Sequence, residues 1–447
     1  MTAIPVVGMP LSVDRVANAA AATRSPRIGV LYPSGWGNLG DEAILQATFA
    51  ALRARWPDAS LRAFTLHPAR TAANHGVEAE PLTGVNRHLF GAPMGEGPLP
   101  VRAARAIARR TQSVPLLGTM TARTSDLLAT LVFEGISLRN AWKWIRTADL
   151  LVASGGGQLD AVWGGSWGQP YALARWAWLA KRAGVPFAFL SVGYGQAPSP
   201  LSRRFLRYAV ASSAYCSVRD VGSREMIRQL GVERDLPIVP DLAFGLTPES
   251  PRPPRRPGLD IGISPMIYLR PGSWPIEDLA GYKRLIALWA EVVATTVARG
   301  DRVHLFVSNP GDMTAVSDIW ERLGEPTRAG CTVVQLETPA ALLEFNRGMD
   351  VIVSSRLHGV LLAIVSGRPV LALSHERKVR AVMKDAGVSE FCVDLATTTT
   401  EEITHLLGDL AQQLESCGRR LRDYVETASS ALRRQDDLIP DLLRDRR

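Results

Sequence analysis

Short runs of β-branched and aliphatic residues alternate along this chain with longer stretches whose apolar positions recur every three or four residues. Residues 27–32 (RIGVLY) read as a buried strand, and 41–56 follow with Ile44, Leu45, Phe49, Leu52 and Trp56 on one helical face. The same reading gives strands at 61–66, 150–153, 187–192 and 214–218, with helices at 167–183 and 201–212. Strands that are apolar throughout, rather than on alternate residues, belong to parallel sheets covered on both faces. Residues 91–146, rich in Gly, Pro and Arg before turning helical, read as an insertion.

The rhythm breaks at 247–257, TPESPRPPRRP, where proline density permits neither helix nor sheet. It then restarts, with strands predicted at 260–264, 302–307, 332–336, 351–354 and 369–373, and helices at 279–299, 315–323, 340–349 and 360–366. A last helix, 401 to about 434, carries a charged face and is placed to pack back across the first domain. The expected fold class is α/β: two Rossmann-like parallel-sheet domains in a GT-B-like arrangement with a long C-terminal helix. The boundaries read as a flexible arm over 1–25, an N-terminal domain over 26–246 and a Pro-rich linker over 247–257. A C-terminal domain over 258–396 and a helical extension over 397–447 complete the chain. Ligands of open α/β sheets sit at the carboxyl ends of strands, so the cleft between the domains is the expected site.

Composition narrows the function classes. The chain has 447 residues, enough for two cores, and its 46% apolar content excludes a disordered chain. Cys216, Cys331, Cys392 and Cys417 show no CxxC spacing, which argues against a disulfide framework and against a zinc site, so no metal is expected. No apolar run approaches the ~20 residues that cross a bilayer, and the first 25 residues lack the apolar core of a signal peptide, so a cytoplasmic protein is expected. The net charge of +8 is carried by dispersed arginine rather than by a basic run with interleaved aromatics. That pattern suits an anionic small ligand and not nucleic acid. The basic segment 102–110 leaves peripheral association with the inner face of a membrane open.

Several segments carry candidate chemistry, each at the carboxyl end of a predicted strand. Gly37-Asn38-Leu39-Gly40-Asp41 couples a glycine turn to a helix start, where Asn38, Gly40 and Asp41 could meet a polar ligand or simply cap the helix. Gly155, Gly156 and Gly157, with Gln158 and Asp160, would let a ligand approach the backbone, although a tight turn needs the same residues. Trp163 and Trp167 beside glycines suit stacking on a sugar ring, whereas Trp176 and Trp178 read as core. Arg219 stands at the end of its strand as a planar fork for carboxylate or phosphate, or as half of a surface pair with Asp220. Asp241 follows in PDLAF, and Ser308 and Asn309 offer polar contacts. The richest segment is Ser354-Ser355-Arg356-Leu357-His358-Gly359. Extended backbone would point Arg356 and His358 to one side, at the N-terminus of a helix beginning near Gly359. Lys378, in SHERK after the next strand, would reach the same rim.

In this order GNLGD, SGGGQ, SVRD with PDLAF, SSRLHG and SHERK resemble the polysaccharide pyruvyl transferase family over residues 28 to 388. The resemblance implies phosphoenolpyruvate as donor substrate, no further cofactor, and a saccharide acceptor, lipid-linked or not, on the way to an exopolysaccharide. It also implies donor-site roles for Arg219, Arg356 and His358. His375 stands where many relatives carry an aromatic residue three positions before the lysine, which leaves the surroundings of Lys378 open. A GT-B glycosyltransferase using a nucleotide sugar, and a non-catalytic glycan-binding protein, are the competing expectations.

Overall fold

Six strands of the first half form one parallel sheet: β1 (Arg27–Leu31), β2 (Ser60–Thr65), β3 (Glu78–Pro81), β4 (Leu150–Leu159), β5 (Phe187–Tyr194) and β6 (Tyr215–Val218). Their order is β3-β2-β1-β4-β5-β6. Six strands of the second half repeat the scheme: β7 (Asp260–Ser264), β8 (Arg302–Phe306), β9 (Cys331–Val334), β10 (Val351–Ser354), β11 (Val370–Leu373) and β12 (Cys392–Val393). Read from β9, the second sheet runs β9-β8-β7-β10-β11-β12, the same doubly wound order. All pairings are parallel, so both sheets are covered by crossover helices; the central strands β1, β7 and β10 are almost wholly buried, while the edge strands β3 and β9 are largely not. This is a computed structural model, and it describes residues 25–85, 101–104, 106–107, 115–162, 164–246, 258–273 and 276–444. Trp163, the predicted linker and nearly all of the predicted N-terminal arm lie outside the described residues.

The two domains meet across one cleft in the GT-B-like arrangement. The Leu39–Arg55 helix of the first domain touches the Pro339–Gly348 and Leu357–Val365 helices of the second, and their side chains share one hydrophobic core. The final helical region is two helices, not one: Thr400–Gln412 and Leu414–Arg444, the latter running on past 434 through Pro440. The longer one crosses back to the first domain. Its Ser429 Oγ donates to the carbonyl of Phe244 at 2.8 Å, Tyr424 packs edge-on against Phe244 at 5.2 Å, and Gln435 reaches Ser217 and Ser191 inside the first sheet.

Most differences from the sequence reading have simple causes. β3 (EAEP) and the two-residue β12 are short edge strands without an apolar run, so nothing in their pattern announces them. β4 is longer than 150–153 because the glycines continue the strand: a Cβ on Gly156 would lie 2.4 Å from the Tyr32 hydroxyl, and one on Gly155 would lie 3.0 Å from Leu242. Trp176 is wholly buried, its indole N–H bound to the carbonyl of Leu82 at 2.9 Å, but Trp178 is exposed. Two positions along a helix turn a side chain about 200° away, so only one of the pair faces the sheet.

Candidate functional site

Asn38 is the N-cap of the Leu39–Arg55 helix, and its side chain accepts the N–H of Gly40 at 3.0 Å. That leaves Asp41 in the first turn with its carboxylate turned inward. The Tyr32 hydroxyl, at the end of β1, donates to Asp41 Oδ1 at 2.9 Å. Burial raises the Asp41 carboxyl to about 6, opposed by that hydrogen bond and reinforced by Glu42 and Asp241. The same helix start abuts the second domain. The Leu39 N–H donates to the carbonyl of Ser308 at 2.8 Å, and a Cβ on Gly40 would lie 2.1 Å from Cγ of His358. Only glycine lets the two backbone segments approach so closely.

Opposite this contact stand the cationic groups. Arg219 reaches up from β6, its Nη1 3.2 Å from Asp241 Oδ2 and its Nε 3.5 Å from Asp220. Gly193 of β5 makes room for it, since a Cβ there would sit 2.5 Å from the guanidinium Nε. From the second domain, Arg356 caps the Leu357–Val365 helix and grips Asp312 through Nε and Nη2 at 2.8 and 2.7 Å. Asp312 is fully buried and also accepts the N–H of Ile267. Lys378 pairs with Glu376 at 2.8 Å. His358 lies among these groups, with Nε2 wholly covered and without a hydrogen-bond partner. Burial lowers its imidazole to about 4; Asp241 pulls the other way, while Arg219 and Lys378 push in the same direction. His358 is thus neutral at pH 7. Three cations, a neutral histidine and a carboxyl raised to about 6 gather at the cleft, with each cation already oriented by a carboxylate.

Residues 38–377 match the sequence profile of the polysaccharide pyruvyl transferase family. The chain belongs to that family. No curated protein matches it in sequence. Among solved structures it is similar to the UDP-GlcNAc 2-epimerase of Neisseria meningitidis bound to UDP-GlcNAc (11% identity, TM-score 0.53, covering 94% of this chain and 100% of the other). It is likewise similar to Anabaena Alr3699/HepE in complex with UDP (11%, 0.53, 94% and 100%). A putative UDP-N-acetylglucosamine 2-epimerase from Listeria monocytogenes is a third (12%, 0.52, 89% and 91%). At such identities the likeness shows the fold alone.

Within this member of the family, the sequence-predicted residues divide into three groups. Asp41, Arg219, Asp241, His358 and Lys378 are brought together at the cleft, and Arg356, turned toward Asp312, joins them through its action on Glu376, the partner of Lys378. Asp160 lies nearby, where Lys378 acts on it, and it accepts the Val162 N–H at 2.6 Å; burial raises its carboxyl. A second group is spent on holding the backbone. Gln158 is buried and bonded to the Leu31 carbonyl and to Gln169, Asn38 and Asn309 are helix caps, and Gly155 and Gly156 pack on side chains. Gly359 sits against Ser354, while Ser308 offers its carbonyl to Leu39. Third, Gly157 faces open space, and Ser355 keeps a buried hydroxyl without a hydrogen-bond partner.

One expectation is corrected. Arg356 and His358 do not lie on one side of an extended segment, because the helix starts at Leu357 and places His358 in its first turn. The geometry that unites them is the helix N-terminus, not strand alternation. Sequence reasoning missed Tyr32, Asp312 and Glu376. A tyrosine closing an otherwise apolar strand was the only local signal for Tyr32, and Asp312 ended a segment from which only Ser308 and Asn309 were chosen. Among the described residues, no group of three or more His, Cys, Asp or Glu is arranged to hold a metal ion.

Proposed function

We propose that this chain transfers the pyruvyl group of phosphoenolpyruvate to two hydroxyls of a saccharide, forming a ketal and releasing phosphate. The observation that carries the reading is the convergence of Arg219 and Lys378 on His358, with Arg356 joined to the group through Glu376, from both domains of a pyruvyl transferase family member. The donor brings a carboxylate and a phosphate, and planar guanidinium groups fixed by Asp312 and Asp241 match both. Carboxylate-held arginines are pre-organised, so little rotamer freedom is lost when the donor binds.

The reaction adds one proton at carbon 3 of the enol, converting the methylene to a methyl group. A first hydroxyl oxygen bonds to carbon 2, a second displaces the phosphate, and one of the two hydroxyl protons leaves with it. A trianion beside His358 raises its proton affinity from the low value of the empty cleft, which suits it to deliver the proton to carbon 3. Asp41, lifted to about 6, is suited to accept the proton of the attacking hydroxyl. Asp241 is held by Arg219 and by the Ala243 N–H, which suits it to orientation instead. The acceptor class consistent with the family is a cell-surface or exopolysaccharide precursor in the cytoplasm.

The test is phosphate release from phosphoenolpyruvate in the presence of candidate glycans, with His358→Gln as control. Acceptor-dependent release that the variant loses by at least about a hundredfold supports the assignment. No release with any acceptor, together with tight binding of a nucleotide sugar, would overturn it in favour of a glycosyltransferase. Two of the structural neighbours above carry UDP or UDP-GlcNAc, so UDP-sugars are the ligands for that arm.

A further inference from the structure

We propose that the rim of the first domain formed by the Pro115–Ile145 helix and Trp167 docks on the surface of an anionic lipid bilayer, holding the mouth of the cleft against the membrane. This does not depend on the identity of the donor.

The helix carries a narrow apolar stripe. Met120, Leu127, Leu131 and Leu138 follow one another at steps of seven, four and seven residues, which brings them onto one line along a helix. They are 66%, 60%, 62% and 36% exposed, while Ser125 and Ala129 on another face are buried. The place of the stripe follows from Glu134. Its carboxylate accepts the N–H groups of Gly84 and Val85 at 2.7 and 3.1 Å, just beyond the carboxyl end of β3, and the Tyr171 hydroxyl at 2.8 Å. The helix leads into β4 and runs against the strand direction, so the turns before Glu134 project past the carboxyl edge of the sheet. Met120 stands roughly 20 Å beyond Glu134 on a rise of about 1.5 Å per residue. That is the edge bearing Asp41, Asp160 and Arg219.

The same edge presents Trp167, 52% exposed, packed on Tyr171 at 5.4 Å and Phe205 at 6.0 Å. Indole rings favour the boundary between headgroups and acyl chains. Charge selects the lipid. Exposed Arg123 and Arg139 stand to either side of the stripe, and Arg203, Arg204 and Arg207 are exposed on the helix beneath Trp167. No acidic residue occurs between Ser199 and Arg219, and the Pro115–Ile145 helix holds Arg123, Arg139 and Lys143 against Asp126 and Glu134, of which Glu134 is turned inward. A second copy of the chain on this stripe would bring like charges together, whereas phosphate-bearing headgroups neutralise them. Among the described residues no helix is long and apolar enough to cross a membrane, so the helix would lie along the surface.

Flotation of the full-length protein with phosphatidylcholine vesicles, and with vesicles of phosphatidylcholine and phosphatidylglycerol in equal parts, tests this. We expect binding to the mixed vesicles at least about tenfold tighter than to the neutral ones. The double substitution Leu127→Glu with Leu131→Glu should abolish it, and Arg203→Glu with Arg204→Glu should weaken it by about fivefold or more per side chain. Circular dichroism identical to the parent establishes that the variants fold, and the arginine pair repeats the test on a separate helix. Equal binding to both vesicle types, no binding at all, or full binding by both variants would overturn the proposal. A dimer in solution that Leu127→Glu dissociates would assign the stripe to a second copy and overturn it as well. Because flotation reads no turnover, its outcome is separate from the fate of the pyruvyl transfer assignment.

Discussion

Replacing Gly40 with alanine sets two effects of opposite sign against each other. Gly40 lies in the first turn of the Leu39–Arg55 helix, where alanine is intrinsically favoured over glycine by up to about 1 kcal/mol. The new Cβ, however, would come within 2.1 Å of His358 Cγ and Nδ1 and 2.2 Å of its Cβ. These atoms sit close to the backbone, so relief requires the Leu357–Val365 helix itself to shift; overpacking of this kind costs about 1–3 kcal/mol. The net expectation is a loss of about 1–2 kcal/mol in chemical denaturation, with turnover impaired because His358 is displaced. A double-mutant cycle isolates the cause. In a His358→Gly background, where the Cβ goes with the ring, the obstruction is gone, and Gly40→Ala should become neutral or stabilising, giving a coupling of at least about 1 kcal/mol. A coupling near zero, or a Gly40→Ala protein more stable than the parent with turnover unchanged, would refute the interdomain contact as described.

Other expectations follow from the same cleft. Asp41→Asn should remove a limb of the pH–rate profile that rises through about 6, since the base is active only when ionised; retention of that limb would assign it elsewhere. The folded chain holds the Asp41 proton more tightly than the unfolded one, so its ionisation costs stability as pH rises from about 4 through 6. The stability difference between Asp41→Asn and the parent should therefore grow in the variant's favour across that window. For His358 the sign is reversed: its lowered folded-state value means stability is lost as pH falls from about 6.5 toward 4, and His358→Gln should flatten that part of the curve. Asp312→Asn should raise the donor KM and destabilise by about 1–3 kcal/mol, because Arg356 loses an ionised partner; unchanged KM would show that the pair serves only folding.

The rhythm of apolar strands and amphipathic helices was legible because buried parallel strands need continuous hydrophobic runs, and Val351–Ser354 and Asp260–Ser264 appear where the pattern put them. Short polar edge strands such as β3 gave no such signal. Local order also fixed which segments end at carboxyl edges, and hence that GNLGD, SVRD and RLHG bear on one kind of site. What the sequence could not determine is which atoms meet. Asn38 caps its helix while Asp41 turns to Tyr32, a choice made by the packing of β1 against the helix start. Gln158 is absorbed by backbone carbonyls, and Arg356 is fixed by an aspartate 44 residues upstream. His358 faces Gly40 only because two sheets of identical order are brought mouth to mouth by the shared core and the returning Leu414–Arg444 helix. Periodicity is a property of neighbours along the chain, so sequence determines the elements. The partners of a charged side chain are neighbours in space, such as Asp312 for Arg356 and Asp241 for Arg219, and only the tertiary structure selects them.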